Sequence, residues 1–564
     1  MKKSSIVVAL VVSAFCAGAQ NLQEAITKSE NERFEAAAAD FKALIAKDGT
    51  KGDYYFYYGE NFFNSDNPDS ALIMYQKGAE VQATNPLNYI GMGKVLLLQG
   101  NDKEANANLY KAKTLGAKNA TAYIKLAEAY ITAPDPYKNY TEASKLLTDA
   151  MKWDSKNAEA HILMGDCLLG QNPTDGSPAI KEYDEALKLN PKSAKGILRK
   201  GKLWYRARNY NLALDFYKQA ISVDPNFAPA YLEMAELYQL AGQPAKALEA
   251  IKKYLDLNGT SLYAHKKYAG YLLLNKQYPE TIAETEENLK KDPTNGYQLR
   301  YRGYAFDELG DKTDKDADTK GLDAINKFFE VADKQKIRIN IDDYRHKGNL
   351  LFKSGQDSLG TLELTKAIAL DSVKNCELYG DIAKYLVKAK KWEKAIVYYE
   401  KRATCTKPMT GQDYFDMGRA YFYAAAPKIR EAMETKDHKE KLKKEDEIRP
   451  YLIKADSAFS KLCQANPNFP TGYYWRGRVN VQLDPTNDQW LARPHFEKYL
   501  SLVKPEERSQ PANKENIIIS CEYLGYYYMK MKDNAKAKEM WNIVKELDPA
   551  NKKAEAFFKS PEGK

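Results

Sequence analysis

Residues 194–225 read AKGILRKGKLWYRARNYNLALDFYKQAISVDP, and this stretch decides the fold. Small residues stand at Gly201, Ala213 and Ala220, and bulky ones at Trp204 and Tyr217. Two antiparallel helices can approach closely where both carry small residues, and large rings then fill the seam between them. Pro225, directly after Val223-Asp224, ends the second helix because its ring cannot continue it. The unit is a helix–turn–helix that cannot bury its apolar face alone, so it requires stacked neighbours.

Those neighbours follow along the chain at a period of about 34 residues. Gly59 with Ala71 and Tyr75, Gly165 with Ala179 and Tyr183, and Ala235 with Ala247 and Ile251 repeat the pattern. So do Gly348 with Gly360 and Leu364, Ala383 with Ala395 and Tyr399, and Gly525 with Ala537 and Trp541. The pattern resembles the tetratricopeptide repeat. The resemblance implies an all-α fold, a right-handed α-solenoid of about fourteen repeats, almost wholly helical over residues 22–560.

The expected organisation is a signal peptide at 1–19, an N-terminal array at 20–300 and a C-terminal array at 301–550, closed by a capping helix and tail at 551–564. Two departures from the period stand out. The turn from Gly310 to Gly321 is stretched, and Ala455 and Phe459 arrive late after Gly418. Residues 424–450, AAAPKIREAMETKDHKEKLKKEDEIRP, have helix-forming composition and are expected to lengthen both helices of that unit into a projecting hairpin.

Lys2 and Lys3, the apolar run from Ile6 to Phe15, and Ala17-Gly18-Ala19 follow the pattern of a cleaved secretory signal, which points to a periplasmic protein beginning at Gln20, with the outer-membrane periphery also open. Phe15 occupies the place before Cys16 where a lipoprotein signal carries a small residue. No later stretch approaches the ~20 apolar residues of a membrane span. The formal charge of +9 falls to +7 without Lys2 and Lys3, and acidic and basic residues are interspersed, against a nucleic-acid groove.

The sequence offers no catalytic or metal-binding motif and no cofactor loop. It contains neither C-x-x-C nor H-E-x-x-H, nor a glycine-rich phosphate loop, and its five histidines form no ligand pair. Asp311, Asp314, Asp316 and Asp318, with D-x-D-x-D at 314–318, superficially imitate a calcium loop, but Thr319 and Ile325 stand where glycine and glutamate are needed, leaving a solvated acidic turn with room for a weak cation. His161 and His265, both at repeat position 4, read as packed interface residues.

A non-catalytic scaffold is therefore expected, with a protein or peptide partner in an envelope complex. In the resembled family, fixed positions of each first helix line the concave surface. Carried over, they give an apolar track in the N-terminal half, Phe56, Phe63, Ile90, Leu97, Ile124 and Ile131. In the C-terminal half, Arg345, Asn349, Phe352, Lys384, Phe415, Arg419, Phe422, Tyr474, Arg478 and Tyr526 alternate aromatic and cationic groups, which suits an extended or acidic-hydrophobic segment. Each of these aromatics has packing on the adjacent repeat as its alternative. Some family members clamp a terminal carboxylate with Lys, Asn and Arg, and this sequence matches that set only in part. An accessory protein binding cell-wall or surface polysaccharide through stacked rings is the rival reading.

Five cysteines follow the signal, an odd number. Cys376 opens the first helix of the Ala383 unit and Cys405 lies just past the end of its second, and in an antiparallel hairpin those ends lie side by side. A disulfide is permitted there in an oxidising compartment, with two free thiols as the alternative.

Overall fold

The decisive stretch forms the helices Ala194–Arg206 and Tyr210–Val223. Ser193 caps the first, its Oγ accepting from Gly196 N–H at 3.1 Å, and Asn209 caps the second. Between them Arg208 takes φ +60°, a left-handed turn that returns at Gly242 (+65°), Lys276 (+59°) and Gly310 (+65°), each 34 residues on. The predicted close approach is real: a Cβ on Gly201 would stand 2.6 Å from the ring of Tyr217, which is fully buried. Gly165 against Tyr183 (2.4 Å) and Gly477 against Phe496 (2.3 Å) repeat the device.

The computed structural model describes residues 21–259, 261–310 and 314–563. Among them stand 29 α-helices and no strand, in consecutive pairs from Leu22–Glu30 with Phe34–Lys47 to Pro511–Lys530 with Asn534–Leu547. A last helix, Lys552–Lys559, caps the array, Phe557 stacking on Trp541 at 5.8 Å. The signal segment 1–19 and the start at Gln20 lie outside the described residues. No described helix is long and apolar enough to cross a membrane.

The chain divides into two compact units, Met1–Ala305 and Phe306–Lys564, the division falling inside the helix Gly296–Leu309. In the first unit, first helices of successive pairs touch one another, as Gly52–Asn64 does Pro86–Leu98 and Pro86–Leu98 does Ala120–Thr132. Second helices are not drawn together in this way, so the first helices form the inner face of the curve.

The stretched turn is shorter than expected. The helix Ala317–Ala332 begins four residues before Gly321, which is itself buried against Phe306 and Leu350. In the second unit the helices Gly411–Glu434 and His438–Ala465 are 24 and 28 residues long, despite Pro427 and Pro450 within them. Ala432, Ile448 and Leu452 are buried in the unit's core, and Lys444 pairs with Glu431 at 2.8 Å. Cys376 and Cys405 are joined in a disulfide, Cα to Cα 5.8 Å, while Cys167, Cys463 and Cys521 are free and buried.

Candidate functional site

The inner face of the first unit closes on itself. Asn31 donates to Asp224 at 2.8 Å, the Tyr254 hydroxyl donates to Glu32 at 2.8 Å, Phe34 meets the edge of Tyr263 at 5.8 Å, and Lys266 donates to Asp66 at 2.9 Å. The space within holds matched charges: Lys94 with Glu60 (3.0 Å), Lys125 with Glu128 (2.7 Å), Arg199 with Asp166 (2.9 Å) and Lys202 with Glu233 (2.6 Å). A cavity of about 290 Å³ remains, bordered by Glu30, Glu32, Lys195 and Arg199. Burial opposes the charge on Lys195, but Glu159, Glu30 and Glu128 outweigh it and hold its pKa above the ordinary lysine value.

This corrects the apolar track. Phe56, Ile90, Leu97 and Ile124 are buried between helices, and Phe63 and Ile131 are half-buried against the same core. Each is a packing residue, because the positions that would face a partner in an open groove here meet the next helix. Phe63 also carries the Lys94 ammonium 4.2 Å above its ring.

The second unit differs. Phe352 is buried and stacked on Tyr385 (4.7 Å), and Asn349 donates to Asp307 at 3.1 Å, so these two serve the interior and not the surface. Asp307 also accepts from His346 Nδ1 (2.7 Å) and Lys353 (2.7 Å). Burial works to raise its pKa, yet the His346 hydrogen bond and the Lys353 charge hold the carboxyl below the ordinary range. Asp307, Glu308 and His346 bring possible ligand atoms within 4.8 Å of one another, a grouping the sequence did not disclose, but protein donors already engage both oxygens of Asp307. In the acidic turn Asp314 takes Lys320 at 2.7 Å and Asp318 lies 3.5 Å from Lys353, so those carboxylates point to different partners; Asp311 lies outside the described residues.

Five aromatic residues on two successive first helices, Gly411–Glu434 and Pro470–Leu483, come together as Phe415, Phe422, Tyr423, Tyr474 and Trp475. Trp475 sits at the centre, 5.4 Å from Phe422, 5.8 Å from Tyr423 and 6.1 Å from Tyr474, and stacks on Phe459 of the second helix behind it at 5.7 Å. Phe422 and Tyr474 are buried and support this cluster; Phe415, Tyr423 and Trp475 are half-buried. Arg419 lies over Phe415 (5.5 Å) and Tyr423 (5.9 Å), and Arg478 over Phe422 (5.7 Å), Tyr474 (5.8 Å) and Trp475 (6.0 Å). The sequence had named both arginines and three of the rings. It missed Tyr423 and Trp475: Trp475 comes from a helix position the family pattern does not place on this face, whereas Tyr423, directly after Phe422, stands at one that the pattern does include.

Arg345 and Lys384 lie on earlier first helices of the unit, Arg345 beside Asp342 (3.2 Å) and Lys384 beside Asp413 (3.4 Å). Burial pushes the nearby Asp381 carboxyl up. Tyr526, 44% exposed among the large apolar residues, edges an apolar pocket of about 590 Å³ with Ile519, Met529 and Phe557.

Two family models, each described as tetratricopeptide repeat, match residues 177–229 and 205–269. The human DnaJ homolog subfamily C member 7 is 25% identical over 171 residues, 28% of this chain and 34% of its own length. Hsp70-Hsp90 organizing protein 1 of Glycine max is 32% identical over 227 residues, 40% of this chain and 39% of its own. The chain thus spans little more than a third of these relatives. A crystal structure of the C-terminal part of a TPR repeat-containing protein from Cytophaga hutchinsonii is 27% identical, covering 52% of this chain and all of that one, with a TM-score of 0.42.

Proposed function

We propose that this chain, a tetratricopeptide repeat protein, is a non-catalytic scaffold that holds a segment of a partner protein along the inner face of its second unit. The observation that carries this is the half-buried cluster of Phe415, Tyr423 and Trp475 flanked by Arg419 and Arg478. Aromatic rings and arginines are the residues that contribute most at protein interfaces. In the first unit, by contrast, the inner cations Lys94, Lys125, Arg199 and Lys202 already have carboxylate partners. The signal-like start, Lys2 to Ala19, supports export, and an exported scaffold of this kind would serve an envelope assembly or secretion machine.

Site-specific photo-crosslinking tests the reading. A photoreactive residue at the exposed Lys384 or Tyr526 should crosslink a partner, and one at Leu362 or Val397, exposed on second helices, should not. Equal crosslinking from both faces would end it.

The rival, a polysaccharide-binding accessory, draws on a separate feature of the first unit. Tyr263, Tyr297 and Tyr301 with Lys266 and Lys267 border a polar pocket of about 320 Å³. Glycan-array binding lost in Tyr297→Ala would favour that reading over the scaffold.

A further inference from the structure

Arg478 differs from three other cations that the repeat pattern places on the inner face of the second unit. Arg345, Lys384 and Arg419 each have a carboxylate nearby, at 3.2, 3.4 and 3.6 Å. Arg478 forms no ion pair with any described residue. Its one hydrogen bond is from Nη1 to the neutral Tyr474 hydroxyl at 2.8 Å, and the rest of its guanidinium lies against three rings. A guanidinium carries five N–H donors in a planar fork that fits a carboxylate with two bonds, so most of this one's capacity is unspent. Arg419 is nearly as open. Its contact with Asp416 is long, and Asp416 already accepts from Gln412 at 2.7 Å.

The two arginines occupy equivalent places, each directly after the small residue of its repeat, Gly418 and Gly477. They flank one wall, because Tyr423 under Arg419 and Trp475 under Arg478 are themselves 5.8 Å apart. Rings that hold a guanidinium flat fix its fork and exclude water from one side, which strengthens a bond to an incoming anion.

We propose that Arg419 and Arg478 form a receptor for side-chain carboxylate, with the half-buried rings of Trp475 and Tyr423 taking an adjoining apolar side chain, so that the partner segment recognised is acidic and hydrophobic together. This rests on the scaffold reading and names its ligand chemistry. The recognised group is an internal side chain and not a chain end, because Arg419 and Arg478 stand mid-helix on two successive first helices and a segment reaching both would continue past each.

The test uses the full chain and a short peptide of alternating Glu and Phe, acetylated and amidated so that its only carboxylates are side chains. Titration calorimetry should show binding that weakens with salt and falls at least ~10-fold in Arg478→Gln, the loss expected for one charge-assisted contact. Arg419→Gln should lose less and Arg478→Lys should recover part of the affinity. Two control peptides, Gln/Phe and Glu/Ser, should each bind at least ~10-fold more weakly. Inorganic phosphate should compete only weakly; competition at low concentration would assign the site to phosphorylated groups and overturn the proposal. Equal binding of the Gln/Phe peptide, or an unchanged affinity in Arg478→Gln with an unchanged circular-dichroism melt, would also overturn it. If crosslinking from Lys384 and Tyr526 succeeds while the Glu/Phe peptide does not bind, this inference falls and the scaffold stands; if neither works, both fall.

Discussion

Glu32 and Tyr254, 222 positions apart in the chain, are joined by a hydrogen bond of 2.8 Å in which the phenol donates to the carboxylate. Burial pushes the Glu32 carboxyl above its ordinary range, and the tyrosine hydroxyl pulls the other way by stabilising the ionised form. Tyr254→Phe should leave that carboxylate without the donor and cost about 1–3 kcal/mol at neutral pH. The loss should shrink as pH falls through that raised pKa, where the buried group takes up its proton already above the ordinary carboxyl value. Amide exchange in the helix Phe34–Lys47 should quicken in the variant, and equal exchange at both pH values would refute the closure. Tyr217→Phe is the control: its hydroxyl finds no partner among the described residues, so its removal should be neutral or slightly stabilising.

Overpacking the helix seam gives a second expectation. A methyl on Gly201 meets the Tyr217 ring at 2.6 Å, and Ala213 is fully buried, so Gly201→Ala and Ala213→Leu should each destabilise by about 1–3 kcal/mol. Thermal melting checks this, and an unchanged curve would contradict it.

His495 supplies a pH dependence. Its pKa is pushed down to about 4, by burial first and by the Arg476 charge second. The unfolded chain takes up the proton near pH 6.5 while the folded chain resists it, so stability is complete above that pH and declines as pH falls towards 4. With solvent screening of this half-buried group the loss should be about 1–2 kcal/mol. His495→Gln should flatten the slope in that window, measured by urea unfolding, and a slope equal to wild type would exclude the histidine as its source.

The Cys376–Cys405 bond holds the segment leading into the helix Gly411–Glu434, where the buried Arg402 donates to the carbonyls of Lys407 (2.7 Å) and Pro408 (2.8 Å). Thr410 and Asp413 then cap that helix reciprocally. Cys405→Ser should lower stability by roughly 3–4 kcal/mol in the chain-entropy model for a loop of 29 positions. Peptide mapping without reductant should recover the linked peptides from the oxidised protein; two alkylated cysteines would refute the bond.

Truncating the rings is the wrong way to probe the surface. Phe422 is buried, and Phe415 packs against Phe459, Phe469 and Trp475, so Phe415→Ala with Phe422→Ala should cost several kcal/mol of stability, about 3–5 for Phe422 alone. A melt of the double variant equal to wild type would show the cluster to be surface and not support.

The helix pairs, the glycine-against-ring seams and the meeting of Cys376 with Cys405 were legible in the sequence, because each is an interaction within one repeat unit, where periodicity alone fixes who meets whom. The inner face was not. Phe56 and Ile90 bear the same residue types as an open binding track, yet they are buried, and Trp475 joins the aromatic cluster from a helix position outside those the repeat pattern places on this face. Curvature accumulates from a small rotation at every repeat, so contacts such as Glu32 with Tyr254 depend on the sum of many packing steps. The sequence by itself determined the repeating unit; only the tertiary structure decided that the first unit pairs Lys94, Lys125, Arg199 and Lys202 with carboxylates and that in the second Arg478 has no carboxylate partner among the described residues.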